Sequence, residues 1–293
     1  DVYKRQHLIE TYKAQGKLDH ALEVVEEVLR QHPDFHRALE EKARICAEKG
    51  AYGKAIEVCD RYLKTRPDDL QIGMLKAEIL IRQEKYGMAE DLLKRFIKKY
   101  PREHRPVMLM ARSLRKQRRY RQALVYYQKV LERNPKHIDA HMEMASVYQV
   151  AGQLDQAIDA YEAVLEIDGS HGPAANDLAY LFADRNQHLD RALSLALRAF
   201  ELMPKSPAVR DTLGWTYLKK GSVLLAKMHL SEAVRQSPGT ALFHYHLGVA
   251  LYADQDLPGA GKAFNEAVRL GLQGEELAFA RDMLQQIKMK GVS

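Results

Sequence analysis

The chain has 293 residues, 46% of them hydrophobic and 29% charged, with a formal net charge of +6. That balance suits a folded, largely helical protein and excludes a disordered or collagen-like one. No apolar run approaches the ~18 residues that a membrane-spanning helix needs, and Cys46 and Cys59 make neither a disulfide framework nor a zinc site.

The chain opens "DVYKRQHLIE", without a Met and already in helical phase. This sets the expectation of a truncated start, with residues 1–6 as a non-native leader or junction. From there alanine recurs at Ala21, Ala55, Ala89, Ala123, Ala157, Ala192, Ala226 and Ala260, at steps of 34 residues except for one of 35. A proline follows most of them at a fixed distance (Pro33, Pro67, Pro101, Pro135, Pro204, Pro238), and Gly169 takes that slot once. A second small residue precedes most of them (Ala43, Ala77, Ala111, Ala145, Gly214, Gly248), and a bulkier one follows several (Tyr127, Tyr161, Leu230, Phe264).

Each step reads as two antiparallel helices. Helices approach closely only where small residues meet at the crossing, and larger side chains fill the space on either side. "GQLDQAIDAYEAVLEID" shows the pattern locally, with a turn at Gly152 and apolar Ala157, Ile158, Tyr161, Val164 and Leu165 at helical spacing. Proline then closes the second helix because it cannot continue the hydrogen-bond ladder. Both cysteines occupy apolar slots of the pattern, so buried thiols are expected.

The step of 35 falls in "YLFADRNQHLDRALSL" at 180–195. The surplus residue lies in a polar turn with Asp184, Arg185, Asn186 and Gln187, and both flanking helices keep their phase. A longer turn is expected there, with Asn taking the left-handed conformation that glycine supplies elsewhere. After the last repeat, "GEELAFARDMLQQIK" places Leu277, Ala280, Met283, Leu284 and Ile287 on one face, as a capping helix would.

The spacing and residue types resemble the tetratricopeptide repeat (TPR) family. The seventh unit, "DTLGWTYLKKGSVLLAKMHLSEAVRQSP", carries the likeness best, although Leu230 replaces an aromatic; Glu84 and Arg118 stand where the third and fourth units should have a turn glycine. The resemblance implies an all-α fold, a right-handed α-solenoid of about eight helix-turn-helix repeats at about 2–35, 36–69, 70–103, 104–137, 138–171, 172–206, 207–240 and 241–272. A capping helix and tail at 273–293 complete it.

In that family the first helix of each pair lines a concave groove. By repeat position, the partner-binding row of the last three repeats is Asn176, Asp177, Tyr180, Asp211, Thr212, Trp215, Tyr245, His246 and Tyr252. Trp215 and Tyr180 have two readings, padding between adjacent first helices or contact with a partner, and both stay open. With only Asn176 as an asparagine in the row, the family's carboxylate clamp is not expected.

Charge is distributed unevenly. Residues 94–121 hold twelve Lys and Arg against the single acid Glu103, a local charge of +11, whereas 154–201 hold nine acids against three arginines, or −6. Arg105, Arg112, Arg115, Lys116, Arg118 and Arg119 form a candidate patch for an anionic partner, with a solvated basic face as the alternative. The opposed regions also allow self-association.

Catalytic chemistry is not legible. "GAGKAF" at 259–264 lacks the first glycine and the following Ser/Thr of a phosphate-binding loop. The histidine pairs His32/His36 and His137/His141 straddle repeat boundaries, and no carboxylates converge on them, so no metal, cofactor or small-molecule substrate is expected. The leading expectation is a non-catalytic scaffold that binds protein or peptide segments. The C-terminal repeats are similar to those of bacterial cell-envelope TPR proteins associated with exopolysaccharide export and protein sorting, which implies help in assembling such a complex in the periplasm or envelope. The alternatives are binding of an anionic polymer, an acidic polysaccharide before nucleic acid, and the adaptor part of a larger enzyme such as a TPR-containing glycosyltransferase.

Overall fold

A computed structural model describes residues 2–290, which form seventeen α-helices and no strand. In chain order these are α1 (Val2–Ala14), α2 (Leu18–Gln31), α3 (His36–Glu48), α4 (Tyr52–Thr65), α5 (Leu70–Arg82), α6 (Tyr86–Lys99), α7 (Arg105–Lys116), α8 (Tyr120–Leu131) and α9 (Ile138–Val150). There follow α10 (Leu154–Ile167), α11 (Gly172–Asp184), α12 (Leu189–Leu202), α13 (Pro207–Lys219), α14 (Val223–Gln236), α15 (Ala241–Ala253), α16 (Leu257–Arg269) and α17 (Gly274–Met289). Residue 1 of the expected leader and residues 291–293 of the expected tail lie outside the described residues.

The chain divides into two compact units, one ending at Glu143 and one beginning at Met144. In the first unit α1–α2, α3–α4, α5–α6 and α7–α8 pack as pairs, and each of α2, α4 and α6 also touches the first helix of the next pair. In the second unit α11–α12, α13–α14 and α15–α16 pair in the same way, and α17 packs on α16. The all-α helix-hairpin organisation expected from the sequence is the one observed.

The periodic alanines explain the pairing. All eight, from Ala21 to Ala260, are completely buried, at 0% exposure. Opposite them the fit is tight: a Cβ added at Gly248 would stand 2.7 Å from the Phe264 ring, and one at Gly214 would stand 2.7 Å from Leu230 Cγ. An unforeseen contact of the same kind sets the Phe96 ring directly on Gly73. Cys46 and Cys59 are buried free thiols, and burial pushes the Cys59 thiol up to about 12. In α17, Ala280, Met283 and Ile287 face inward, while Phe279 remains exposed.

The turns obey backbone sterics. Gly152 and Gly221 sit at φ of 73° and 79°, and where glycine is missing Glu84, Arg118 and Gln255 are held at 59°, 58° and 63°. The longer turn of the sixth repeat needs two left-handed residues, Asn186 at 54° and His188 at 47°. His188 directly precedes α12, so the surplus residue is absorbed at the helix entrance without disturbing either helix. No helix among the described residues is long and apolar enough to cross a membrane.

Two substitutions test this account by urea denaturation. Gly248→Ala forces the Phe264 ring to shift and should cost about 1–3 kcal/mol. Glu84→Gly relieves a left-handed side chain, and after the added chain entropy of glycine it should gain about 0.5–1 kcal/mol.

Candidate functional site

In the first unit, the first helices of consecutive pairs turn one face toward a cleft of about 260 Å³. Its floor is apolar: Met74 and Leu75 from α5, and Met108 and Leu109 from α7, all buried. Its rim is charged, with Arg44, Arg105 and Arg112 as cations and Glu78 and Asp139 as anions. His104 and His137 stand at one end with ring centroids 4.8 Å apart, edge to face. His137 also caps α9, its Nδ1 accepting from the Ala140 amide at 3.2 Å. Burial, followed by the neighbouring His104, holds the His137 pKa below the ordinary imidazole value.

The candidate basic patch is broken up by carboxylates from other repeats. Arg112 and Arg115 share Glu143, at 3.0 and 3.2 Å, and Glu143 also accepts from the Tyr127 hydroxyl at 3.1 Å. Arg119 binds Glu90 at 2.8 Å, and Arg105 lies 3.5 Å from Glu103. Of the six patch residues only Lys116 and Arg118 have no carboxylate within ion-pair distance among the described residues. Arg95, Lys98, Arg102 and Arg121 from the same run share that condition, although Arg95 donates to the Pro67 carbonyl at 2.8 Å. In sequence these six fall before α7 or at and beyond its last residue, and α7 has 12 residues, or about 18 Å. The run therefore leaves its unpaired cations in two groups, not one continuous row.

In the second unit the expected partner-binding row is largely closed. Asp211, Thr212, Trp215, Tyr245 and His246 are buried, with Trp215 at 4% exposure and His246 at 1%. They pack on one another: the His246 ring stacks on Trp215 at 4.1 Å, and its Nδ1 meets Asp211 Oδ2 at 2.7 Å. For Asp211, Thr212, Tyr245 and His246 the expectation of a partner-facing row is corrected, because the side chains of neighbouring first helices fill the space between those helices; for Trp215 the same packing answers to its reading as padding between first helices. Burial pushes the Asp211 carboxyl up, against the pull of His246.

Asn176, Asp177, Tyr180 and Tyr252 are partly exposed. Asn176 donates to Asp177 at 3.0 Å, and Tyr252 donates to Gln286 of α17 at 3.2 Å. The sequence reading missed the floor of the first-unit cleft, although Met74, Leu75, Met108 and Leu109 occupy the same repeat positions as the row it chose in the second unit. Among the described residues, no group of three or more His, Cys, Asp or Glu is placed to hold a metal ion.

Comparison with known proteins gives a consistent picture. Two family profiles, both described as tetratricopeptide repeat, match residues 114–179 and residues 8–69 and 212–274, together more than half of the chain. A TPR repeat-containing protein of Pseudomonas aeruginosa is 35% identical over 65 residues, which are 22% of this chain and only 11% of that protein. Among solved structures, a tetratricopeptide repeat protein from Parabacteroides merdae has a TM-score of 0.63 at 18% identity, covering 86% of this chain and 98% of that one. YrrB, described as a TPR protein with an unusual peptide-binding site, has a TM-score of 0.50 at 22% identity, covering 65% of this chain and 97% of its own. At such identities the two structures show a likeness of fold alone.

Two outcomes follow from the half-buried His137 and the buried His246. The folded pKa of His137 lies below its unfolded value of about 6.5. The stability it contributes is therefore complete above that pH and is lost as pH falls toward the folded pKa. His137→Asn keeps a cap on α9 without titrating, so the drop in urea midpoint between pH 7.5 and 5 should shrink, whereas His137→Ala should cost about 1 kcal/mol even at pH 7.5. His246→Ala would strand a buried Asp211 and should cost about 3–5 kcal/mol at neutral pH.

Proposed function

The chain belongs to the tetratricopeptide repeat family, and from that premise we propose that it is a protein-interaction scaffold whose first-unit cleft seats a segment of a partner protein. The cleft itself carries this reading. It joins an apolar floor to a charged rim on rigid helices, the combination that anchors a bulky side chain and fixes its orientation. At about 260 Å³ it is smaller than the ~300–1,000 Å³ of small-molecule sites, which favours a side chain over a metabolite. The peptide-binding site in the description of YrrB is in keeping with such a use of the fold.

A second reading, binding of an anionic polymer, draws on the exposed cations at the two ends of α7. Lys98 and Arg102 at one end, with Lys116, Arg118 and Arg121 at the other, suit a chain-like anion better than a single phosphate. Help in assembling a bacterial secretion or exopolysaccharide-export complex is the finer form of the scaffold proposal, and the resemblance of the C-terminal repeats supports it. Self-association through the opposed charge regions and a role as the adaptor part of a larger enzyme rest on the charge distribution and on the family, respectively.

Selection of a displayed random-peptide library against the protein tests the first reading. Enriched peptides should bind at least about tenfold more weakly to Met74→Gln/Met108→Gln, a loss of about 1.4 kcal/mol, and equally well to Arg118→Glu/Arg121→Glu. Peptides indifferent to the floor would refute the cleft. Polygalacturonate binding that falls steeply with salt and disappears on Arg118→Glu/Arg121→Glu would instead advance the polymer reading.

A further inference from the structure

The second unit carries an aromatic and acidic cluster for which the first-unit cleft has no counterpart. Tyr180 of α11 and Tyr245 of α15 both flank the buried His246, with ring centroids 6.1 and 5.6 Å from it. Phe279 of α17 stands edge-on to Tyr245 at 6.0 Å and is 41% exposed. Two carboxylates share this face by helical register: Asp184 one turn beyond Tyr180, and Glu276 one turn before Phe279. We propose that Tyr180, Tyr245, Phe279, Asp184 and Glu276 form a site for a cationic side chain, an arginine or lysine of a partner's peptide. The proposal rests on the scaffold reading and names the chemistry of a second contact.

Several observations point to a cation. Tyr245 is nine-tenths buried, at 9% exposure, yet its hydroxyl has no hydrogen-bond partner among the described residues. Burial and then the carboxylates of Glu276 and Asp184 push Tyr245 up to about 12. Tyr180 is raised by burial first and then by Asp184, Asp211 and Glu276. Neither Asp184 nor Glu276 has a basic partner among the described residues, and Arg185, next in sequence to Asp184, is drawn away to Asp155 at 2.6 Å.

Asp184 also closes α11, the end where the helix dipole disfavours an anion. Its charge stands against local preference. Two rings outside the site, on α13 and α15, already take cations, since Lys219 Nζ lies 4.6 Å from the Trp215 ring centre and Lys290 Nζ lies 5.4 Å from that of Tyr252, whereas the rings of Tyr180, Tyr245 and Phe279 have no such partner among the described residues. A guanidinium or ammonium at the Tyr180–Tyr245–Phe279 face would gain the ring quadrupoles and two unpaired carboxylates together.

The test uses the full chain and peptides of three Arg-Gly-Gly, Lys-Gly-Gly or Glu-Gly-Gly units, followed by calorimetry and by the emission of Trp215, the only tryptophan. At least one cationic peptide should bind and shift that emission, while the glutamate peptide should not. Asp184 and Phe279 are exposed and Glu276 is half-buried; Asp184→Asn, Glu276→Gln and Phe279→Ala should each weaken binding about two- to fivefold. Met74→Gln/Met108→Gln should leave it unchanged. The proposal falls if neither cationic peptide binds, if the glutamate peptide binds equally, or if Asp184→Asn/Glu276→Gln retains full affinity. Library peptides that engage the first-unit cleft in the presence of any of these results would leave the scaffold reading intact and remove only this site.

Discussion

The fold depends on one contact made repeatedly, the meeting of a residue with little or no side chain and a larger one across a helix pair. Gly248 lies against Phe264 and Gly214 against Leu230, with Ala260 and Ala226 fully buried beside them. At that separation no β-branched or longer side chain fits at the crossing, so the small residues must recur at the interval set by two helices and two turns. The turns, the left-handed residues and the burial of the cysteines all follow from preserving that interval.

The two units use the same repeat positions for different physical ends. Counted from the small residue of each first helix, Met74, Leu75 and Glu78 correspond to Met108, Leu109 and Arg112, and in the second unit to Asn176, Asp177 and Tyr180 or Asp211, Thr212 and Trp215. Flexible aliphatic side chains leave a cleft with a soft floor in the first unit. In the second, rings and a buried Asp211–His246 pair fill the space. Trp215 acts there as packing: it stacks on His246 and lies against the Tyr245 ring.

The helix hairpins were legible because each follows from local spacing, and even the surplus residue of the sixth repeat was placed in its turn. His188 as its second left-handed residue was not, since nothing in a histidine announces positive φ. The sites were legible only in register. A linear charge window counts Arg112, Arg115 and Arg119 as free cations, whereas Glu143 and Glu90, brought in from neighbouring repeats, neutralise much of that charge. Burial of Asp211 and His246 depends on ring packing across first helices more than 30 residues apart. Phe279 meets Tyr245 of α15 only because α17 packs beside the last hairpin, a placement that its own amphipathic pattern does not reveal.

Among the described residues, the main helix–helix contacts within each unit join a helix to the next one or two along the chain. Contacts are therefore close in sequence, loop closure costs little entropy, and the search for the native pairing is short. Such an array behaves as a one-dimensional lattice, in which ordering can begin at any strong hairpin and spread to its neighbours. Loss of order would likewise pass from one hairpin to the next, so a partner bound across one hairpin would act as a brake on the unravelling of its neighbours as well as a ligand.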